Sequence, residues 1–110
     1  MAATILFVTS LLLLPQGNRD PVAEGRRVYE ARKCATCHMI AGRGNIRFNL
    51  DGVAARLTER DLRRWLTDTS EMERALPVQP AVRMSEWLKT VRKISDADVD
   101  ALVAYLLSLK

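Results

Sequence analysis

Both cysteines and the only histidine of this 110-residue chain fall within five positions, in the stretch "KCATCHM" that holds Cys34, Cys37 and His38. No other feature constrains the fold as tightly. Two thiols separated by two residues, with an imidazole directly after them, put three reactive groups on one short turn, and whatever they bind must lie against it. Three chemistries fit this cluster less well. A structural zinc site takes four ligands, and the chain has no further Cys or His. A thioredoxin-like dithiol belongs in a βαβ setting, of which the sequence gives no sign. A disulfide between Cys34 and Cys37 would close a very small, strained loop.

Cys-x-x-Cys-His is the attachment sequence of c-type haem, and that chemistry explains the clustering. Two thiols must reach two vinyl groups on one porphyrin edge, so their separation has to be short and fixed. The adjacent imidazole can then turn under the ring and bind iron. In this reading Cys34 and Cys37 form thioethers to one haem and His38 is the proximal ligand. The cofactor also answers a packing problem. Residues are 48% hydrophobic but only 5% aromatic, and a domain this small often needs a staple or prosthetic group. A large apolar disc supplies that volume.

With no second histidine, a sixth iron ligand from this chain is most simply a methionine sulfur. Met39 directly follows the proximal histidine and belongs to that side. Met72 lies in a short helical stretch and reads as a core residue. Met84 follows the extended run "PVQPAVR", residues 77–83, which could lay a sulfur across the opposite face, so Met84 is the favoured candidate. The plainer alternative is a gap-filling core methionine.

Along the chain the signals are helical. Pro21 suits a first helical turn, and Val22, Gly25, Val28, Tyr29 and Arg32 follow at helical spacing. Gly25 weakens that helix, which points either to close approach by another backbone or to a tolerated glycine on an exposed face. Residues 39–49 read as a loop punctuated by Gly42, Gly44 and Asn45. Thr58 and Asp61 have capping-box spacing before Leu62, Trp65 and Leu66; Ser70 and Glu73 repeat it before a short helix ended by Pro77. Ser95 and Asp98 open the clearest helix, in which Val99, Leu102, Val103, Leu106 and Leu109 share one face. No alternating run is long enough for a strand, so the chain reads as all-α.

Residues 1–20 form a separate leader and linker, with 21–110 as the folded domain. From Ala2 to Leu14 the leader is apolar or small. A helix of that length covers about 20 Å, short of a bilayer's hydrocarbon core of about 30 Å. It fits a secretory signal best, although no Lys or Arg precedes it and no clean cleavage site follows it. A retained membrane anchor, trimmed in this sequence, is the next reading and a buried core helix the last. Either of the first two puts the domain in the periplasm or on the outer face of the cytoplasmic membrane. The net charge of +4, from 17 Lys+Arg and 13 Asp+Glu, is too mild and too dispersed for nucleic acid. It suits docking to an acidic protein partner.

From about residue 20 onward the chain resembles the class I c-type cytochromes, and in particular the compact bacterial members with one haem. "EGRRVYEARKCATCH" resembles the family's N-terminal helix and haem motif, with Gly25 and Tyr29 at its glycine and aromatic. Leu102 and Tyr105 match the C-terminal helix positions on which that glycine packs. "FNLDGVAARLT" resembles the segment after the motif, which puts Leu50 against the ring. "VRMSEWLKTVRKISDADVDALVAYLLSL" resembles the strap with the axial Met84, followed by the last helix. Two positions depart from the pattern: Phe48 replaces the proline whose carbonyl meets the proximal histidine, and Ser85 replaces the proline after the axial methionine.

The resemblance implies a cytochrome c fold, three to five helices around one haem with the terminal helices crossing. It further implies a His38/Met84 single-electron carrier, not an enzyme, in a respiratory or photosynthetic chain. The expected docking face is basic, drawn from Arg26, Arg27, Arg32, Lys33, Arg43, Arg47, Arg83, Lys89, Arg92 and Lys93, with Asp96, Asp98 and Asp100 gathered elsewhere. Two other functions stay open: a membrane-tethered haem subunit of a larger oxidoreductase if residues 1–14 are retained, and a five-coordinate haem sensor or peroxidase-like protein if Met84 does not bind iron.

Overall fold

The computed structural model describes residues 20–91 and 93–110; the expected leader before residue 20, and Arg92 of the expected basic face, lie outside them. Among the described residues five α-helices form: α1 (Pro21–Ala31), α2 (Glu59–Thr67), α3 (Thr69–Arg74), α4 (Met84–Thr90) and α5 (Asp96–Leu107). Among the described residues, no helix is long and apolar enough to cross a membrane.

Local chemistry starts most of these helices. Asp20 caps α1 by accepting from the Val22 amide at 3.1 Å, with Pro21 at the first position. At α2 the capping box is complete: the Asp61 amide donates to Thr58 Oγ1 and the Thr58 amide to Asp61 Oδ2. At α5 only half of it forms. Ser95 accepts from the Asp98 amide at 3.1 Å, while the Asp98 carboxylate turns to Arg32, whose Nη2 donates to it at 3.0 Å. That partly buried pair ties the end of α1 to the start of α5.

The core lies where α1 and α5 meet. Val28, Tyr29, Ile40, Ala101 and Leu102 form one buried cluster, and Val53, Leu62 and Leu106 a second. Gly25 is the point of closest approach. A Cβ there would overlap the Ala101 carbonyl and lie 2.6 Å from Tyr105 Cβ. The glycine's nearest neighbours are Ala101 and Tyr105, with Leu102 buried in the first cluster beside them. Edge-to-face stacking of Tyr29 on Tyr105, centroids 5.8 Å apart, extends the same seam.

Three elements differ from the sequence reading. The stretch read as loop, residues 39–49, belongs with His38 to a small sheet: β1 (His38–Ile40), β2 (Arg43–Gly44) and β3 (Phe48–Asn49), in the order β2-β1-β3. Strands of two or three residues are too short to leave an alternating pattern. The turn from β1 into β2 carries Ala41 and Gly42, both at positive φ, as a two-residue hairpin turn requires. Next, Ser70 and Glu73 make no capping box. Asp68 is the residue before α3, Ser70 lies within it and Glu73 turns inward. Last, residues 84–90, read as the end of a strap, form α4. Met84, Trp87 and Leu88 have the i, i+3, i+4 spacing of one helical face.

Replacing Gly25 with alanine forces backbone against backbone at the α1–α5 seam. Denaturant unfolding of Gly25→Ala is expected to show a loss of about 3 kcal/mol, the upper part of the range for overpacking; a loss under about 0.5 kcal/mol would mean that the helices do not touch there.

Candidate haem-binding site

Directly after α1, Lys33 takes the left-handed conformation at φ 55° and reverses the chain into a 3₁₀ turn at Cys34–Thr36. Three residues per turn bring positions i and i+3 to the same side, so Cys34 and Cys37 face one way. The turn closes through the Cys37 amide, which donates to the Cys34 carbonyl at 3.2 Å. Both cysteines are half-buried free thiols. Burial pushes the Cys34 thiol up to about 11, which keeps it neutral at ordinary pH.

His38 opens β1, and the short sheet decides what its ring meets. β1 pairs with β3 in parallel register, His38 opposite Phe48. This brings the Phe48 carbonyl to 3.3 Å from His38 Nδ1. A carbonyl can only accept, so Nδ1 carries the proton and Nε2 keeps its lone pair. Burial lowers the His38 pKa, partly opposed by the bond to Phe48, and so favours the neutral ring a metal ligand needs. The carbonyl expected from a proline is present here from Phe48. Behind the motif, the Asn45 amide donates to the His38 carbonyl at 2.9 Å and Asn45 Nδ2 to the Thr36 carbonyl. Gly44, at φ 107°, permits this: a Cβ there would overlap the His38 carbonyl.

These groups open on a cavity of about 570 Å³, within the range of small-molecule and cofactor sites. All five sequence-derived site residues line it: Cys34, Cys37, His38, Leu50 and Met84. Neither Met39 nor Met72 does. The rest of the wall comes from every helix, including Tyr29 of α1, Leu62 and Trp65 of α2, Trp87 and Leu88 of α4, and Leu102 and Leu106 of α5. Among the described lining residues, Arg56 is the only Lys or Arg and Glu73 the only carboxylate. The Tyr29 hydroxyl is buried without a hydrogen-bond partner among the described residues, and burial raises its pKa, with a smaller push from Cys34.

Haem fits this donor set. Two thiols share one side of a turn, a neutral imidazole is held through Nδ1, a thioether shares the cavity, and the walls are almost wholly apolar. The sequence reading did not assign Trp65, Trp87, Arg56 or Glu73 to the site. Trp65 and Trp87 had a signal, the apolar helical spacing with Leu62 and with Met84. Arg56 and Glu73 had none: Arg56 is a lone cation in an apolar run, and Glu73 sits between Glu71 and Arg74.

Residues 22–110 match the cytochrome c family, and the chain belongs to it. No curated protein and no solved structure matches the chain. Membership makes this a haem-binding electron-transfer protein with a covalent haem c, in the mostly helical fold described above.

With the cavity's apolar walls left facing water, this half of the domain would lose much of the hydrophobic drive to fold. Cys34→Ser/Cys37→Ser protein, which cannot attach haem, is expected to show most of its far-UV helical signal lost and no cooperative thermal transition. A cooperative transition with native helix content would show that the walls collapse and close without the cofactor.

Proposed function

We propose that the protein is a mono-haem electron carrier in which Cys34 and Cys37 hold the porphyrin while His38 and Met84 bind the iron from its two faces. The observation that carries this is the sharing of one cavity by His38, both cysteines and Met84, to the exclusion of Met39 and Met72. The bound haem supplies one-electron iron chemistry. The protein's residues decide how that electron is held. The Phe48 carbonyl fixes the His38 ring and raises its basicity. A Met84 thioether favours the reduced state and a higher potential. Leu50, Leu62, Trp65 and Leu102 exclude water, which disfavours the extra charge of the oxidised centre. Arg56, whose Nη2 donates to the Asn49 and Asp51 carbonyls at 3.4 Å, puts a cation at the wall where it suits a porphyrin carboxylate.

The docking face we infer is narrower than the list of basic residues. Arg27 pairs with Glu24, Arg26 with Glu30, Arg32 with Asp98 and Lys89 with Glu86. Asp100, from the acidic group, pairs with Arg63. Lys33, Arg43, Arg47 and Arg83 are exposed and flank the haem motif and the strap. These four support steering toward an acidic redox partner. The apolar stretch from Ala2 to Leu14 supports a location in the periplasm or on the outer face of the cytoplasmic membrane. Sequencing the mature N-terminus separates a free carrier, starting near residue 20, from a tethered subunit that keeps the stretch.

Optical spectra test the ligation. The oxidised protein is expected to show the weak far-red band of sulfur bound to iron, lost in Met84→Ala together with a fall in potential, and kept in Met72→Leu. A wild-type spectrum that is high-spin and lacks the band would overturn the ligation and favour a five-coordinate haem protein.

Reduction by an acidic partner protein tests the face. The bimolecular rate should fall steeply with ionic strength, and Arg43→Glu/Arg47→Glu should lower it about tenfold at low salt. A rate insensitive to salt would refute steering.

A further inference from the structure

Glu73, on α3, is 3% exposed, the only carboxylate among the buried described residues. Both of its carboxylate oxygens are taken by a single residue. The Ser85 amide donates to Oε1 and the Ser85 hydroxyl to Oε2, each at 2.7 Å. Its backbone is engaged too, because Gln79 Nε2 donates to the Glu73 carbonyl at 2.9 Å. One residue therefore grips residues 75–83, the connector that delivers Met84, near the middle and just past its end.

Burying a carboxylate is costly unless something offsets it. Among the described residues no Lys or Arg forms an ion pair with Glu73. The offset comes from the start of α4. Ser85 is its second residue, so the Ser85 amide has no acceptor within the helix, and Arg83 before it provides no side-chain cap. Glu73 supplies that cap from a different helix, through bonds to an ionised acceptor, which are the short and strong kind. A cap supplied locally at position 83 would only stabilise α4. A cap supplied from α3 also fixes where α4 begins, and α4 begins with Met84.

Resting on the His38/Met84 ligation proposed above, we infer that Glu73 is a positioning residue whose grip on Ser85 holds the Met84 sulfur on the iron. An external ligand binds iron only when Met84 is off, so its apparent affinity rises with the fraction of molecules in that state. Loosening the grip raises that fraction.

The test titrates imidazole into the oxidised, haem-loaded protein and reads loss of the far-red band. Glu73→Gln and Ser85→Ala are each expected to bind imidazole about tenfold more tightly, the scale of one lost bond to a charged group. The double variant should fall short of the sum of the two single effects, because both changes weaken the same contact. Ser85→Thr, which keeps hydroxyl and amide, should match the wild type. If Glu73→Gln does not fold, Ser85→Ala and Ser85→Thr carry the comparison. Affinities within twofold of wild type, with the band intact, overturn the inference alone, even if the urea midpoint drops, since a merely structural contact would do only that. A wild-type protein without the band overturns the ligation and this inference together.

Discussion

An apolar cavity at the centre of a small domain has to be filled, and most of this structure answers to that requirement. Helix α4 shows it best. None of its residues is buried, and its apolar side chains, Met84, Trp87 and Leu88, face the cavity. Its helical neighbour is α3. Without an occupant, α4 would expose an apolar face to water and have little reason to fold. The α1–α5 seam is different. It closes directly, backbone on backbone at Gly25, but Tyr29, Leu102 and Leu106 beside it also line the cavity. The seam thus packs partly on itself and partly on what the cavity binds.

Covalent attachment makes that dependence safe, and the attachment turn is built with unusual care for a stretch of five residues. The left-handed Lys33 turns the chain, the 3₁₀ geometry aligns the thiols, and the parallel pairing of His38 with Phe48 aims the imidazole. The sheet is too small to contribute much stability. Its use is positional, because it sets the register that puts a carbonyl against Nδ1. Gly44 and Asn45 then close the back of the turn, so the imidazole cannot swing without breaking several backbone hydrogen bonds.

The parts of the fold legible in the sequence are those that local rules decide. Pro21 in the first turn of α1, the cap at Thr58 and the apolar face of α5 depend on neighbours within a turn or two. Gly25 could be noticed as anomalous from sequence, but what it touches is settled by α5. Misreadings arose where distant partners won. Glu73 has capping-box spacing from Ser70, yet Ser85 recruits its carboxylate inward. Asp98 has the spacing for a box with Ser95, yet Arg32 takes its side chain. α4 was hidden because its apolar face is short and its occupant is not made of amino acids. Among the site residues, Cys34, Cys37 and His38 are legible because their chemistry needs adjacency. Met84 is legible only as one choice among the methionines. The proline missing after Met84 looks from sequence like a loosened strap, whereas in the structure Ser85 in that place is held by two bonds.

Everything about this site depends on one porphyrin being joined to the two thiols of a single turn. Mass spectrometry of protein made in a host that matures c-type haem, followed through to the peptide holding Cys34 and Cys37, tests that most directly. The account predicts the mass of one haem on that peptide, retained after denaturation. A bare polypeptide with both thiols free to alkylate would contradict it.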